Sequence, residues 1–216
     1  MFLNRKDAGE KLGRALERYR HQGVLVLGIP RGGVETAYYV ADYLDAELSV
    51  VICRKLGYPI NPEAAFGALA EDGSLYLDAM ALEYLTDAEF QRVLDDQQRE
   101  IQRRVITFRQ GKPLPRMKGR TVIIVDDGVA TGATLFAAIK LCKKSEVGKL
   151  VVAAPLSGSA MVHTLHKMVD DVVILENPYD FHAVSQGYAE FNNLTDEEAL
   201  LFLSRWHEHH KTTLEN

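Results

Sequence analysis

The sequence of 216 residues predicts an α/β fold with a doubly wound, mainly parallel sheet. Short apolar runs recur along the chain and alternate with segments of helical periodicity, which is the pattern of such sheets. The runs at 24–27 and 122–125 are continuous rather than alternating, as expected for parallel strands buried on both faces. No change in composition marks a second domain, so we expect one domain over residues 1–216.

The predicted elements follow one another along the whole chain. The first helix covers about Asp7 to Arg20, with Leu12 and Leu16 on its apolar face, and Gly23 is expected to end it. The later elements are a strand at 24–27, a helix to 44, a strand at 48–53, an insert at 57–86, a helix at 87–109, a strand at 122–125, a helix through 141, a strand at 150–154, and then a further helix, a last strand, a hood and a final helix.

The insert at 57–86 has two different halves. Its second half, 68–78, has the pattern of a hairpin that turns at Asp72 and Gly73. The helix that follows carries an apolar stripe broken only by Gln97 and Arg104, which indicates core packing or, as an alternative, a dimer face. The first half is predicted to be loop because of Pro59, Asn61, Pro62, Glu63 and Gly67.

The run at 122–125 leads directly into two acids, Asp126 and Asp127, and a loop of small residues. Ligands bind at this edge of α/β sheets, and backbone amides at the following helix N-terminus can face an anion. The acids would repel phosphate, so their expected partners are sugar hydroxyls or a metal, and a ribose 5-phosphate satisfies both parts. An ordinary turn after a buried strand is the alternative. The loop consists of Gly128, Val129, Ala130, Thr131, Gly132, Ala133 and Thr134.

This segment resembles the phosphoribosyl pyrophosphate (PRPP) signature of type I phosphoribosyltransferases. The resemblance implies that Asp126 and Asp127 hold the ribose hydroxyls and that residues 128–134 hold the 5-phosphate. It also implies the sheet of that family, with a mobile loop within about 57–86 that closes over PRPP and a small C-terminal hood at about 176–194.

A second segment, Gly28 to Gly33, resembles the pyrophosphate loop of the same family. Its glycines expose backbone amides, and an arginine offers a planar fork of donors for phosphate. It does not match GxGxxG, and no acid closes the next strand, so a nicotinamide cofactor is disfavoured. Ordinary turns and solvated loop charges are the alternatives. The predicted pyrophosphate contacts are Pro30, Arg31, Gly32 and Gly33, together with Arg54 and Lys55 after the strand at 48–53.

The hood resembles that of the hypoxanthine-guanine branch, in which an aromatic ring stacks on the purine. That resemblance makes Phe181 the stacking residue, with core packing as the alternative reading of this aromatic side chain. Two departures remove purine specificity: Ala130 stands where that branch has an acid, and residues 155–158 offer no lysine after the strand at 150–154. The acceptor therefore stays unidentified.

The resemblance implies a Mg²⁺-dependent enzyme that transfers the 5-phosphoribosyl group from PRPP to a nitrogenous base or related acceptor and releases pyrophosphate. Asp126, Asp127, Arg31 and Lys55 would be the catalytic residues, with Mg²⁺ bound through the substrate. A PRPP sensor without catalysis is the alternative, because Ala130 and the absent lysine remove expected chemistry.

Composition and charge limit the expected partners. The net charge of −5 argues against nucleic acid, and no apolar run approaches the length of a membrane span. The first residues lack a signal-peptide pattern, so a cytoplasmic protein, with a homodimer as one possibility, is expected. Cys53 and Cys142 should be buried, reduced thiols. Histidines group at 163 and 166 and at 207–210 without completing a metal-ligand pattern, so no protein-bound metal is predicted.

Overall fold

The computed structural model describes residues 1–78 and 84–214. A five-stranded sheet forms its centre, with the order β2-β1-β6-β7-β8 and parallel pairing throughout. The predicted doubly wound α/β class is therefore confirmed. With strands numbered in chain order, the five are β1 (Leu25–Gly28), β2 (Glu47–Val50), β6 (Thr121–Val125), β7 (Lys149–Leu156) and β8 (Asp171–Glu176).

Helices cover both faces of this sheet. One apolar core contains residues of the first three helices and the last, such as Leu12, Val40 and Leu203, and the other contains Leu135 and Leu165. Burial of these faces is what stabilises a doubly wound sheet. The helices are α1 (Arg5–Ala15), α2 (Gly32–Leu44), α3 (Asp87–Arg109), α4 (Ala133–Lys144), α5 (Ser159–His166) and α6 (Asp196–Leu214).

The first helix differs from its prediction at both ends. It begins at Arg5, because the side chain of Asn4 accepts a hydrogen bond from the backbone N–H of Asp7 at 3.1 Å and caps the helix. It ends at Ala15 rather than near residue 20, and a 3-10 turn over Glu17–Tyr19 follows. This tighter turn brings Tyr19 into the core, where its hydroxyl contacts Asp171.

The predicted strand at 48–53 is wrong as a single element. The parallel strand ends at Val50, and Cys53 begins a strand of a second, antiparallel sheet. Glu71 fixes the crossing, since its Oε1 accepts from the backbone N–H of Ile52 at 2.9 Å. Arg54 and Lys55 therefore lie inside a strand and not in a loop after one. The second sheet consists of β3 (Cys53–Tyr58), β4 (Asn61–Ala70) and β5 (Leu75–Leu77).

The first half of the insert is also strand where loop was predicted. Strand β4 contains Asn61, Pro62, Glu63 and Gly67, and its pairing with β3 includes shifts in register. Pro59 lies in the turn that connects the two strands. Pairing along the far part of β4 overrides the local turn preference of these residues. The hairpin at 68–78 is confirmed by the antiparallel pairing of β4 with β5. Residues 79–83 of the predicted mobile loop lie outside the described residues.

Two further elements position the site. Helix α3 has the predicted bounds, and Thr86 and Glu89 form a capping box at its start. Ile101 and Phe108 of its apolar stripe lie in the core, as the core interpretation of this stripe predicts. Strand β7 runs through Leu156, two residues beyond the prediction, so Pro155 and Leu156 belong to the sheet. Within residues 1–78 and 84–214, no helix is long and apolar enough to cross a membrane.

Candidate active site

Two loops leave the sheet side by side at the carboxyl ends of β1 and β6. These strands pair directly, with Gly28 opposite Val125, and the backbone N–H of Ile29 donates to the Val125 carbonyl at 3.0 Å. A cavity of about 600 Å³ opens above them. Both loops, strand β3 and helix α3 line it. The topology therefore brings the two predicted substrate loops into one site.

The two acids lie in this cavity in different surroundings. The Oδ1 of Asp126 accepts a hydrogen bond from the backbone N–H of Asp127 at 2.9 Å. Burial, and next the negative charge of Asp127, raises the pKa of Asp126 well above its usual range. Asp127 instead forms an ion pair with Arg5, whose Nε lies 2.7 Å from its Oδ2. The hydroxyl of Tyr188 donates to the Asp127 carbonyl at 2.5 Å.

The loop after the acids is tied to the end of strand β7. The backbone N–H of Val129 donates to the Leu156 carbonyl at 2.9 Å, and the Ser157 hydroxyl donates to the Val129 carbonyl at 3.0 Å. Helix α4 begins at Ala133, so Ala133 and Thr134 form its first turn rather than the loop. Thr134 lines the cavity together with the acids. The predicted helix N-terminus is thus positioned at the site. Gly128 and Gly132 are buried in the same loop, whereas Ala130 and Thr131 are exposed.

The glycines of the first loop allow it to approach the acids. A Cβ at Gly32 would lie 1.9 Å from the Asp127 Oδ2, and a Cβ at Gly33 would lie 2.8 Å from the Asp126 Oδ1. A side chain at either position would therefore clash with a carboxylate. The Pro30–Arg31 peptide bond within this loop is cis. The Arg31 guanidinium is partly exposed, and its Nη1 lies 3.8 Å from the Oδ1 of Asp196.

Cationic side chains form the opposite wall of the cavity. Arg54 and Lys55 reach it from β3, and Arg92 and Arg104 reach it from α3. The Nε of Arg54 donates to the Oε1 of Gln97 at 3.0 Å. Burial, and next the positive charge of Arg104, lowers the pKa of Arg54. These cations therefore lie close enough to repel one another, which an anionic ligand would relieve.

The residues of α3 and Arg5 were not recognised as site residues in the sequence. A signal did exist on the helix, because Gln97 and Arg104 are the polar interruptions of its apolar stripe. Arg104 is buried nonetheless, with its Nε 2.8 Å from the Oε1 of Glu100. The contact between Arg5 and Asp127 joins residues far apart in the chain, and no local pattern indicates it.

Phe181 lies apart from the predicted phosphate contacts. It is not among the described residues that line the cavity. Its ring packs against the small apolar cluster of Phe2, Leu156 and Tyr188, with one ring carbon 3.8 Å from a Cβ placed at Gly158. The structure thus places Phe181 beside the carboxyl end of β7, and stacking on a base stays a prediction.

The cysteines and histidines lie outside this site or at its margin. Cys53 and Cys142 are buried and unpaired, as predicted, and burial raises the pKa of the Cys142 thiol to about 12. His207 and His210 each contact a backbone carbonyl one helical turn earlier. In the part of the chain that the structure describes, no group of three or more His, Cys, Asp or Glu residues is arranged to hold a metal ion.

The fold and cavity define an α/β protein with its site at the ends of adjacent parallel strands. This site contains paired carboxylates and a loop of small residues that leads into a helix. The model of the phosphoribosyl transferase domain family matches residues 3–189, and the chain belongs to this family. The expected type I phosphoribosyltransferase resemblance is thereby confirmed.

Relatives from three bacteria are similar over most of this chain. A Mycobacterium tuberculosis protein named "Putative phosphoribosyl transferase" is 42% identical over 209 residues, which are 96% of this chain and 47% of the relative. The chain thus spans about half the length of the curated relatives it matches. The crystal structure of TT1426 from Thermus thermophilus has a TM-score of 0.79 at 40% identity and covers 95% of this chain and 98% of its own. AQ2163 of Aquifex aeolicus, at 15% identity, a TM-score of 0.50 and coverage of 82% and 77%, shares the fold alone.

Proposed function

We propose that this chain transfers the 5-phosphoribosyl group from PRPP to a nitrogenous base or related acceptor and releases pyrophosphate. The observation that carries the proposal is the single cavity that joins paired carboxylates and a helix N-terminus to a wall of cations. PRPP has the matching parts: a 5-phosphate, two ribose hydroxyls and a pyrophosphate. Family membership supports the same reaction class.

In this proposal, the β6–α4 side of the cavity binds ribose 5-phosphate. The backbone amides of residues 128–134 and the start of α4 face the 5-phosphate, because a helix N-terminus carries partial positive charge. Asp126 and Asp127 accept hydrogen bonds from the ribose hydroxyls. Thr134 adds a hydroxyl from the first turn of the helix.

The opposite side binds the pyrophosphate. Backbone amides of Gly32 and Gly33 approach it closely, and Arg31, Arg54 and Lys55 neutralise its charge. Mg²⁺ fits this cavity, since the substrate's phosphate and hydroxyl oxygens beside two carboxylates form the hard oxygen set that this ion prefers. When bound through the substrate, the ion would supply further charge neutralisation to the leaving pyrophosphate.

The chain's residues would stabilise charge separation during transfer. The bond between ribose C1 and the pyrophosphate oxygen breaks, and its electron pair leaves with pyrophosphate. The lone pair of the acceptor nitrogen bonds to C1, and the proton of that nitrogen is released to water. Arg31 and Lys55 stabilise the departing oxygens, while Asp126 and Asp127 face the positive charge that develops on the ribose. Phe181 is the proposed stacking surface for the acceptor.

The wider setting is also proposed. We infer that residues 1–216 act as one domain on small molecules rather than on nucleic acid or a membrane, in line with the net charge of −5. The unpaired thiols Cys53 and Cys142 support a reducing, cytoplasmic location. A homodimer is also part of this proposed setting.

Pyrophosphate release from PRPP and Mg²⁺ against a panel of purines, pyrimidines and related amines tests the proposal, with PRPP binding followed by calorimetry. We expect turnover with at least one acceptor. We expect Asp127→Ala to lose PRPP affinity and turnover together, because it removes one of the two carboxylates that accept from the ribose hydroxyls. Asp95→Ala, on the exposed face of α3, is the matched control.

Three outcomes would argue against parts of this proposal. PRPP binding without turnover across the panel would favour the sensor function instead. Wild-type PRPP affinity in Asp127→Ala would contradict the role of the acids. Failure of the wild-type chain to bind PRPP would contradict the proposal as a whole.

A further inference from the structure

Arg5 is a buried charge whose main partner is a carboxylate of the candidate site. Its side chain is only 7% exposed although it lies at the first residue of α1. Its Nε donates to the Oδ2 of Asp127 at 2.7 Å, and its Nη1 donates to the Asn192 carbonyl at 2.7 Å. The guanidinium carbon lies 4.1 Å from the centre of the Phe191 ring. These contacts hold the guanidinium in one orientation.

The charge balance of the site explains why such a cation is needed there. Asp126 and Asp127 are adjacent carboxylates in a largely buried setting, and the proposed substrate adds several negative charges. Arg5 neutralises one carboxylate from the side of the hood. It also fixes the orientation of this carboxylate, because its hydrogen bond to Oδ2 holds that oxygen on the side of Arg5.

Arg5 also lies where the two substrate loops meet. A Cβ placed at Gly32 would lie 1.9 Å from the Oδ2 of Asp127 and 3.0 Å from the Nε of Arg5. The pyrophosphate loop, the carboxylate and the guanidinium therefore pack against one another with little space between them. A rotation of the Asp127 side chain toward Gly32 is possible only if this packing loosens.

We propose that Arg5 is a positioning residue of the PRPP site, which holds the Asp127 carboxylate in the orientation that binds the ribose hydroxyls. The proposal rests on the proposed function, since it assigns Asp127 to the ribose. Arg5 itself does not contact the reacting atoms. Its effect is expected on ligands that contain the ribose and not on pyrophosphate alone.

A purely structural role makes a different prediction. Arg5 joins α1 to the hood through Asn192 and Phe191, so its loss could simply loosen the hood. In that case, loss of Arg5 would weaken the binding of both pyrophosphate and ribose 5-phosphate, and it would also lower thermal stability. Phe191→Leu offers the matched control, because it removes the stacked ring and leaves the pair of Arg5 with Asp127 in place.

The test measures binding of ribose 5-phosphate and of pyrophosphate, each with Mg²⁺, by calorimetry in Arg5→Gln, Arg5→Lys and Phe191→Leu. We expect Arg5→Gln to weaken ribose 5-phosphate about tenfold or more, as for loss of a charge-assisted hydrogen bond, and pyrophosphate less than about twofold. Arg5→Lys should recover part of the loss because it keeps the charge. Phe191→Leu should weaken the binding of ribose 5-phosphate less than Arg5→Gln does, even where the two variants lower the melting temperature equally.

A double-mutant cycle isolates the coupling. In an Asp127→Asn background, Arg5→Gln should weaken ribose 5-phosphate less than about twofold further, because the pair it serves is already broken. The positioning role would be overturned if Arg5→Gln weakened the binding of both ligands equally, or if Arg5→Lys recovered none of the lost affinity. It would also be overturned if the effects of Arg5→Gln and Asp127→Asn on ribose 5-phosphate binding were fully additive. A wild-type chain that binds pyrophosphate but not ribose 5-phosphate or PRPP would overturn the proposed function and this role with it.

Discussion

The two sides of the cavity are built in different ways. The acidic side comes from one continuous segment, 126–134, which follows a single strand and starts a helix. The cationic side is assembled from three separate elements: the loop after β1, strand β3 and helix α3. The side of the site that comes from one segment can be recognised from sequence, because its residues are neighbours both in the chain and in space. A half made from distant elements depends on the fold.

The difference also concerns charge. On the acidic side, the carboxylate of Asp127 has a buried partner in Arg5. On the cationic side, burial and next the positive charge of Arg104 disfavour the charge of Arg54. Arg5 thus neutralises one of the two carboxylates on the acidic side, whereas the cationic side would gain from an anion. The variants below separate the two sides, beginning with the position at which they meet.

Gly32→Ala is expected to have the largest effect, because this residue, the first of α2, lies in the proposed pyrophosphate site and abuts the Oδ2 of Asp127. The added methyl group must displace either the loop or the carboxylate. We expect calorimetry to show PRPP affinity reduced about a hundredfold, the sum of moderate losses on both sides. Gly158→Ala, where a Cβ meets only a ring carbon at 3.8 Å, should bind PRPP within about twofold of wild type. Similar affinities in the two variants would contradict the packed junction.

Arg104→Gln should affect the cationic side alone. Loss of this buried charge should weaken pyrophosphate about tenfold in a binding titration, as for other charged hydrogen bonds, and leave ribose 5-phosphate within about twofold. Arg99→Gln is the matched control, since it removes the same charge from the same helix at a side chain that is 71% exposed. If both variants weakened pyrophosphate equally, net charge rather than contact would explain the effect.

Asp126→Asn tests the acidic side through the stability of the fold, and it should have the smallest effect of the three variants. Because the folded-state pKa of Asp126 is raised, the folded wild type binds more protons than the unfolded chain and loses stability as pH rises above about 4. The asparagine variant lacks this loss. Without ligand or metal, the variant should therefore unfold at a higher urea concentration than wild type at pH 7 and show no such gain at pH 3.5.

The exposed Asp95→Asn is the control for the Asp126 measurement. It should show no comparable change between the two pH values. A gain for Asp126→Asn that was the same at both pH values would contradict the raised pKa as its cause.

Much of the sheet could be predicted because buried parallel strands are continuous apolar runs. The run at 122–125 and the acids after it are one example, and the bounds of α3 are another. The split between β2 and β3 could not be predicted, since the apolar run continues through Val51, Ile52 and Cys53 while the chain changes sheets. Tertiary contacts mark that crossing, such as the hydrogen bond from the backbone N–H of Ile52 to Glu71.

The site follows the same rule. The two carboxylates and the glycine loop were readable from local patterns, because strand, turn and helix are consecutive there. Arg54 and Lys55 line the cavity, although from within a strand and not from a loop after one. Arg5 and Arg104 were missed, since their importance comes from residues distant in the chain or from burial of a polar position in an apolar stripe.

A crystal structure of the chain with PRPP and Mg²⁺ tests the central claim most directly. We expect the 5-phosphate on the amides of residues 128–134, the ribose hydroxyls on Asp126 and Asp127, and the pyrophosphate between Arg31 and the wall formed by β3 and α3. A pyrophosphate bound at residues 128–134, or a ribose that does not contact the two carboxylates, would contradict the account.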